Sequence, residues 1–490
     1  MSQLPNILWI CADQQRHDTI HALGNRLIHT PALDRMVADG CTFLNAYTQS
    51  PVCTPSRACF LTGRYPKTTG VNRNGNEYFP QDEVLVTKIF ADNGYDCGLV
   101  GKLHLSAAEN MVEVRPDDGY RFFEWSEHPH DDWDAGHDYQ NWLKAQGVCW
   151  DDNYCLGNGR NQSSQDNAWK RIMPVGKGGM KSKYHQTTWA FKRAEHFIGS
   201  NHSGKPWLLS INIFDPHPPY DPPLEYRMKL DANNMPLPTW NDDDFSNKPH
   251  YYRQDYEHGS QGGTGPCAKA FDDDTKRQLV ADYYAQIEHT DAQLELLLSN
   301  LQKGGHLDNT IILFHSDHGE MCGDHGLYWK GAYSYEQLLH VPMIFVWENH
   351  IVKNLHSSAL VELVDIAPTL LELAGIEIPY YMQGKSLAGI LTGKADPERH
   401  KDAIHSEYYY AMPGIHEYYI SIYSDGKYKI AVHHNEPISE LYNLEEDPNE
   451  FQNLWNNPAY IDVQMEYLKK CFDLTCLCTM DPRPRAIRYF

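Results

Sequence analysis

Four short apolar runs in this chain each stop at ionisable residues. Asn6 to Cys11 runs into Asp13 and Gln14, Tyr95 to Val100 into Lys102 and His104, Trp207 to Phe214 into Asp215 and His217, and Thr310 to Phe314 into Asp317 and His318. Apolar runs of this length, separated by helical patterns, mark strands buried on both faces of an open, mostly parallel sheet. Ligands of such sheets bind beyond the carboxyl ends of the strands, so the four polar tips are expected to meet although about 300 residues separate the first from the last. A single polar tip is equally compatible with an ordinary loop. Four tips carrying Asp, Lys or His are harder to explain that way.

The intervening segments supply the covering layers. Gln186 to Gly199 places Ala190, Ala194, Phe197 and Ile198 on one face, and Asp273 to Leu301 is a long segment rich in Leu and Ala; both read as crossover helices. The stretches Trp125 to Lys183 and Pro236 to Gly265 are rich in Gly, Asn, Asp and aromatic residues, as insertions that wall a substrate site often are. Beyond Gly375 the pattern changes: Tyr418 to Tyr423 and Lys427 to His433 read as antiparallel strands joined by Ser424-Asp425-Gly426. The expected fold class is α/β, a large mixed, mostly parallel sheet sandwiched by helices over residues 1–385. A smaller C-terminal α+β subdomain with a small antiparallel sheet is expected over 386–490. The terminal arginines Arg483, Arg485 and Arg488 read as a solvated tail, with packing near the site or against another subunit as the alternative.

The formal net charge of −23 repels phosphate backbones and anionic lipid surfaces, so neither nucleic acid nor membrane is an expected partner. An acidic protein that handles an anion must gather its cations locally. No basic leader or cleavage site precedes Ile7, and runs such as Val341 to Trp347 are too short to cross a bilayer. The twelve cysteines follow no repeating spacing, which suits reduced thiols. A cytoplasmic protein is expected.

One cysteine stands apart. In Ser50 to Pro66, SPVCTPSRACFLTGRYP, Thr54 can serve as N-cap and Pro55 suits the first helical turn, with a stop at Gly63. Cys53 then lies at the positive end of a helix with Arg57 one turn in, a place suited to an anion. Its thiol is either an activated nucleophile or a structural group. Cysteine-dependent phosphatases have five residues between Cys and Arg, and only three intervene here.

These residues carry a resemblance. Cys53-Thr54-Pro55-Ser56-Arg57 with Leu61-Thr62-Gly63-Arg64 is similar to the signature of the type I sulfatases of the alkaline phosphatase superfamily. Asn6 to Asp13 resembles that family's first strand and metal aspartate, Gly101-Lys102-Leu103-His104 its G-K-x-H, and Pro216 to Tyr220 its P-H-x-P-Y. Ser316-Asp317-His318-Gly319 with Trp329-Lys330 resembles its second metal segment, and Pro368 to Leu371, Glu440 to Leu444 and Asp447-Pro448 its C-terminal hallmarks.

The resemblance implies a sulfuric ester hydrolase whose Cys53 is converted to formylglycine by a maturation enzyme. It implies metal ligation by Asp13, Gln14, Asp317, His318 and modified Cys53. Oxygen-rich ligation points to calcium, with manganese or magnesium as alternatives. Arg57, Lys102 and Lys330 would hold sulfate, His104 would assist residue 53, and His217 and Lys330 would serve the leaving group. Asn74 either lines the pocket or forms a plain Asn-Gly turn. The expected substrate is a small sulfated molecule: a glycosaminoglycan-type carbohydrate, with aryl or choline sulfate as rivals. Two other readings stay open: a phosphonate or phosphate mono- or diester hydrolase, favoured by Gln14 where many relatives have Asp, and a catalytically silent anion-binding scaffold. Oligomeric state is not legible.

Overall fold

The computed structural model describes residues 4–108, 112–128, 136–148, 180–200, 202–241 and 243–483. Within the insertion at 125–184, positions 129–135 and 149–179 lie outside the described residues, as do Arg485 and Arg488.

The first strand, β1 (Asn6–Asp13), shows why the apolar runs do not alternate. Ile7, Trp9 and Cys11 enter one core while Leu8, Ile10 and Ala12 enter the other, so both faces are buried. Further strands are β2 (Cys41–Tyr47), β3 (Asp96–Gly101), β4 (Phe122–Trp125), β5 (Trp207–Pro216), β6 (Thr310–Ser316), β7 (His340–Val341), β8 (Met343–Val346) and β9 (Leu355–Glu362). They form one nine-stranded sheet in the order β4-β3-β5-β1-β6-β8-β2-β7, with β9 beside β2. The consecutive strands β4, β3, β5, β1 and β6 run parallel, whereas β8 runs against both β6 and β2. The sheet is mixed and mostly parallel, as expected.

Helices cover both faces. Leu33, Met36 and Val37 of α1 (Pro31–Asp39), Trp189, Ala194 and Phe197 of α3 (Gln186–Ile198), and Leu294, Leu297 and Leu301 of α4 (Asp273–Lys303) fill one core. Ala58, Phe60 and Leu61 of α2 (Cys53–Thr62) and Ile366, Leu370 and Leu371 of α5 (Ile366–Leu373) fill the other. Beyond them, β10 (Ile404–Tyr409), β11 (Tyr419–Ser424), β12 (Tyr428–His433) and β13 (Glu440–Asn443) form a separate antiparallel sheet. Tyr467 and Cys471 of α6 (Ile461–Cys478) pack onto it. The hairpin joins β11 to β12 where the sequence placed it, with Ser424 paired to Lys429.

The start of α2 differs from the expected one. Its N-cap is Val52, and Thr54, already inside the helix, does not cap it. The helical N–H of Thr54 is satisfied from outside, by Asn74 Oδ1 at 3.0 Å. The stop is as expected: Gly63 takes a left-handed φ of 66° and its N–H returns to Cys59 O.

Candidate active site

Because β3, β5, β1 and β6 are neighbours, their carboxyl ends deliver Lys102, His217, Asp13 and Asp317 side by side. Gly101 permits the closest approach. At φ 102° it brings β3 against Asn212 of β5, and a Cβ there would lie 2.0 Å from Asn212 O. Lys102 N–H then donates to Asn212 O at 3.1 Å, and Asn212 Nδ2 to Lys102 O at 2.6 Å. Two non-glycine residues here also have left-handed backbone, Gln14 at φ 72° and His104 at φ 56°. Such strain persists only where neighbours enforce it. Gln14 N–H donates to Asp317 Oδ1 at 3.0 Å, and its carbonyl accepts from Tyr283. The Glu113 carboxylate accepts the N–H groups of His104, Leu105 and Ser106 in succession.

Cys53, the first residue of α2, is fully buried at the centre. Its Sγ lies 2.9 Å from Lys330 Nζ, 3.1 Å from His318 Nε2 and 3.6 Å from Asp13 Oδ1. Cys53 is also among the groups that act electrostatically on His104. Lys330 Nζ further donates to Gln14 Oε1 at 3.1 Å and to His217 Nε2 at 2.9 Å.

Two cations bind the carboxylates from below. The Arg57 guanidinium lies 2.9 Å from Asp317 Oδ2 and 3.3 Å from Asp13 Oδ2, and Lys102 Nζ lies 2.6 Å from Asp13 Oδ2. Burial alone would raise the Asp13 carboxyl, but the permanent cations Lys102 and Arg57 hold it well below the usual carboxylate range. Burial opposes the charge on Lys102 as well, and Asp13 reverses that and raises its pKa.

The histidine tautomers follow from their outer partners. His318 Nδ1 faces Gly319 O at 2.8 Å and His217 Nδ1 faces Pro218 O at 2.6 Å; each nitrogen must donate, which leaves an Nε2 lone pair turned inward. Burial, then Lys330, pushes His217 well below the ordinary histidine range; burial lowers His318 and His104 too. Asn74 stands in a turn with Gly75, whose φ is 75°, and from that turn its side chain caps the helix of Cys53.

All eleven residues singled out from the sequence are thus assembled around Cys53 or its helix. Four neighbours escaped that reading: Glu113, Glu127, His128 and Glu320. Glu127 and His128 follow β4, a strand too short to be noticed, yet the rule that strand tips carry chemistry would have found them. Glu320 sits two places beyond His318, and its carboxylate accepts the Gln14 Nε2 donor. The aromatic residues of the second insertion suit ring stacking on substrate and core packing equally, and the described ones pack: Tyr251 and Tyr252 are buried in the core beside the small sheet, and Trp240 stacks on Tyr256.

Comparison with known proteins agrees with this geometry. Residues 5–376 match the family profile Sulfatase, and residues 323–475 match the profile N-sulphoglucosamine sulphohydrolase, C-terminal. The chain belongs to the sulfatase family. An arylsulfatase of Clostridium perfringens is 30% identical over 480 residues, covering 95% of this chain and 93% of that protein. Two solved structures share the fold. A phosphonate monoester hydrolase from Silicibacter pomeroyi superposes with a TM-score of 0.79 at 21% identity, covering 99% of this chain and 98% of the other. A protein solved in complex with its substrate D-glucosamine-2-N,6-O-disulfate gives 0.76 at 23% identity, covering 99% and 100%. The present sulfatase is a sulfuric ester hydrolase of the alkaline phosphatase superfamily.

The family implies a divalent cation, and the donor set of this sulfatase fits one. Ligand atoms of Asp13, Cys53, Asp317 and His318 all lie within 4.8 Å of one another and are buried. The inward His318 lone pair is the form a metal requires. Gln14 stands beside these donors with its Oε1 turned toward Lys330, because Glu320 takes its amide nitrogen.

Proposed function

We propose that this sulfatase hydrolyses a sulfated carbohydrate, using formylglycine made from Cys53 by a maturation enzyme and a calcium ion held by Asp13, Gln14, Asp317, His318 and residue 53. The observation that carries the reading is the position of Cys53 Sγ, at once 2.9 Å from Lys330 and 3.1 Å from His318. That sulfur stands where the oxygens of the hydrated aldehyde would be.

Hydrated formylglycine at position 53 would supply two hydroxyls, one as the nucleophile toward sulfur and one whose loss of a proton would release sulfate, and a divalent cation held by Asp13, Gln14, Asp317 and His318 would supply charge that acidifies the first and neutralises a sulfate oxygen. Oxygens from Asp13, Gln14 and Asp317 favour calcium. The remaining work belongs to side chains. Arg57, Lys102 and Lys330 hold the sulfate oxygens, pre-oriented by carboxylates so that little reorganisation is needed as charge moves. His104, whose pKa burial lowers, accepts a proton from residue 53. Lys330 donates toward the ester oxygen, and the inward Nε2 of His217 is placed to exchange a proton with it.

The carbohydrate preference is supported by the relative solved with D-glucosamine-2-N,6-O-disulfate. A reducing, cytoplasmic setting is supported by the ten described cysteines, all of them free thiols. Phosphonate ester hydrolysis is the second reading, favoured by Gln14 and by the likeness to a phosphonate monoester hydrolase. Lys102 and His104, both turned into the site, speak for sulfate.

Two measurements test the proposal. Mass spectrometry of the peptide containing residue 53 should find aldehyde in place of thiol. Release of sulfate from sulfated mono- and disaccharides should exceed turnover of a nitrophenyl phosphonate ester; the reverse order refutes the substrate assignment.

A further inference from the structure

The carboxylate of Glu127 is a buried anion inside a pocket meant for anions. Its side chain is 3% exposed, and its Oε1 lies 3.3 Å from Lys102 Nζ and 4.0 Å from His104 Nδ1. Oε2 accepts from His128 Nδ1 at 3.0 Å, and the His128 ring stands edge-on to His217 at 4.9 Å. The backbone around it is pinned. Glu127 N–H donates to His137 Nε2 at 3.2 Å, and Gln186 Nε2 donates to Glu127 O at 2.9 Å and to Ser126 Oγ at 3.0 Å.

This carboxylate is not among the groups that hold the cation. Asp13 already pairs with Lys102 at 2.6 Å, so the lysine does not need a second carboxylate to stay charged. Burial would raise Glu127, but Lys102, followed by His128 and His104, holds it well below the usual carboxylate range. A permanent negative charge therefore stands directly behind one of the cations expected to hold the substrate's oxygens.

We propose that Glu127 is a specificity-determining residue that selects by charge, favouring singly charged sulfate esters over doubly charged phosphate monoesters. Coulomb energy scales with the product of the charges, so a fixed anion opposes a dianion twice as strongly as a monoanion at the same place. A sulfate monoester carries one negative charge. A phosphate monoester above its second pKa of about 6 carries two. The inference rests on the sulfatase reading and deepens it.

The test uses full-length matured enzyme at pH 8 with three substrates sharing a nitrophenol leaving group: the sulfate, the phosphate and the methylphosphonate monoester. Each phosphorus ester is measured both as a substrate and as a competitive inhibitor of sulfate turnover, so that a poor substrate still gives a value. In E127Q the preference for phosphate relative to sulfate should rise about tenfold or more. The singly charged phosphonate should keep its ratio to sulfate, which separates charge from the identity of the central atom. E127D, which retains the charge, should keep the wild-type ratios, and E127A serves as a second neutral variant should the glutamine fail to fold. If E127Q and E127A slow all three substrates equally, Glu127 merely positions Lys102 and the proposal falls. Wild-type enzyme that releases no sulfate would instead overturn the sulfatase reading itself.

Discussion

Lys330 Nζ lies 2.9 Å from Cys53 Sγ, across 277 positions of sequence. The same ammonium reaches His217 Nε2, so it joins residue 53 to the ring proposed above to serve the leaving group. Proton delivery to the departing oxygen should depend on it. Lys330→Ala is expected to lower kcat about a hundredfold on a sugar sulfate and markedly less on nitrophenyl sulfate, whose leaving group needs little protonation. Parallel kinetics with the two esters check this; equal losses would assign Lys330 to sulfate binding alone.

Glu320 should govern cation affinity without touching the cation. It accepts the Gln14 amide nitrogen, which fixes the amide oxygen toward the centre. Glu320→Gln leaves the amide free to turn over, and calcium affinity by titration calorimetry should weaken about tenfold. Unchanged affinity would remove Gln14 from the ligand set.

Acid should destabilise the protein through His315. Its Nε2 accepts Trp9 Nε1 at 2.8 Å and its Nδ1 donates to Ser316 O, so the neutral ring is fully used. Burial lowers its pKa to about 4. Between pH 6.5 and that value the unfolded chain takes up the proton and the folded one does not, so stability falls as pH falls, by about 1.4 kcal/mol per pH unit. Thermal melting of His315→Gln should show a shallower pH dependence across this window than the wild type.

Glu113→Ala should release the loop bearing Lys102 and His104. Three N–H groups lose their acceptor, and His104 loses what holds its left-handed backbone. A destabilisation of about 1–3 kcal/mol is expected, read by denaturant melts, together with a fall in kcat larger than any change in KM. Retained kcat would mean that the loop is held by other contacts.

Much of this arrangement was legible because strands buried on both faces leave long apolar runs, and their tips are where the chain turns to chemistry. Asp13, Lys102, His217 and Asp317 all announce themselves in that way. The cap of α2 did not, since Asn74 reaches Thr54 through space from a loop. Glu127 was hidden behind a four-residue strand whose residues are mostly half-buried. Glu113 acts through backbone N–H groups, which leave no signature in the sequence.

The position of β1 bears on synthesis. It emerges first, yet its two neighbours in the sheet begin at Trp207 and Thr310. At about 5–20 residues per second a ribosome needs some tens of seconds to produce the second of these partners. Until Trp207 has been made Ile7 to Ala12 lacks both partners, and one of its edges stays open until Thr310 follows.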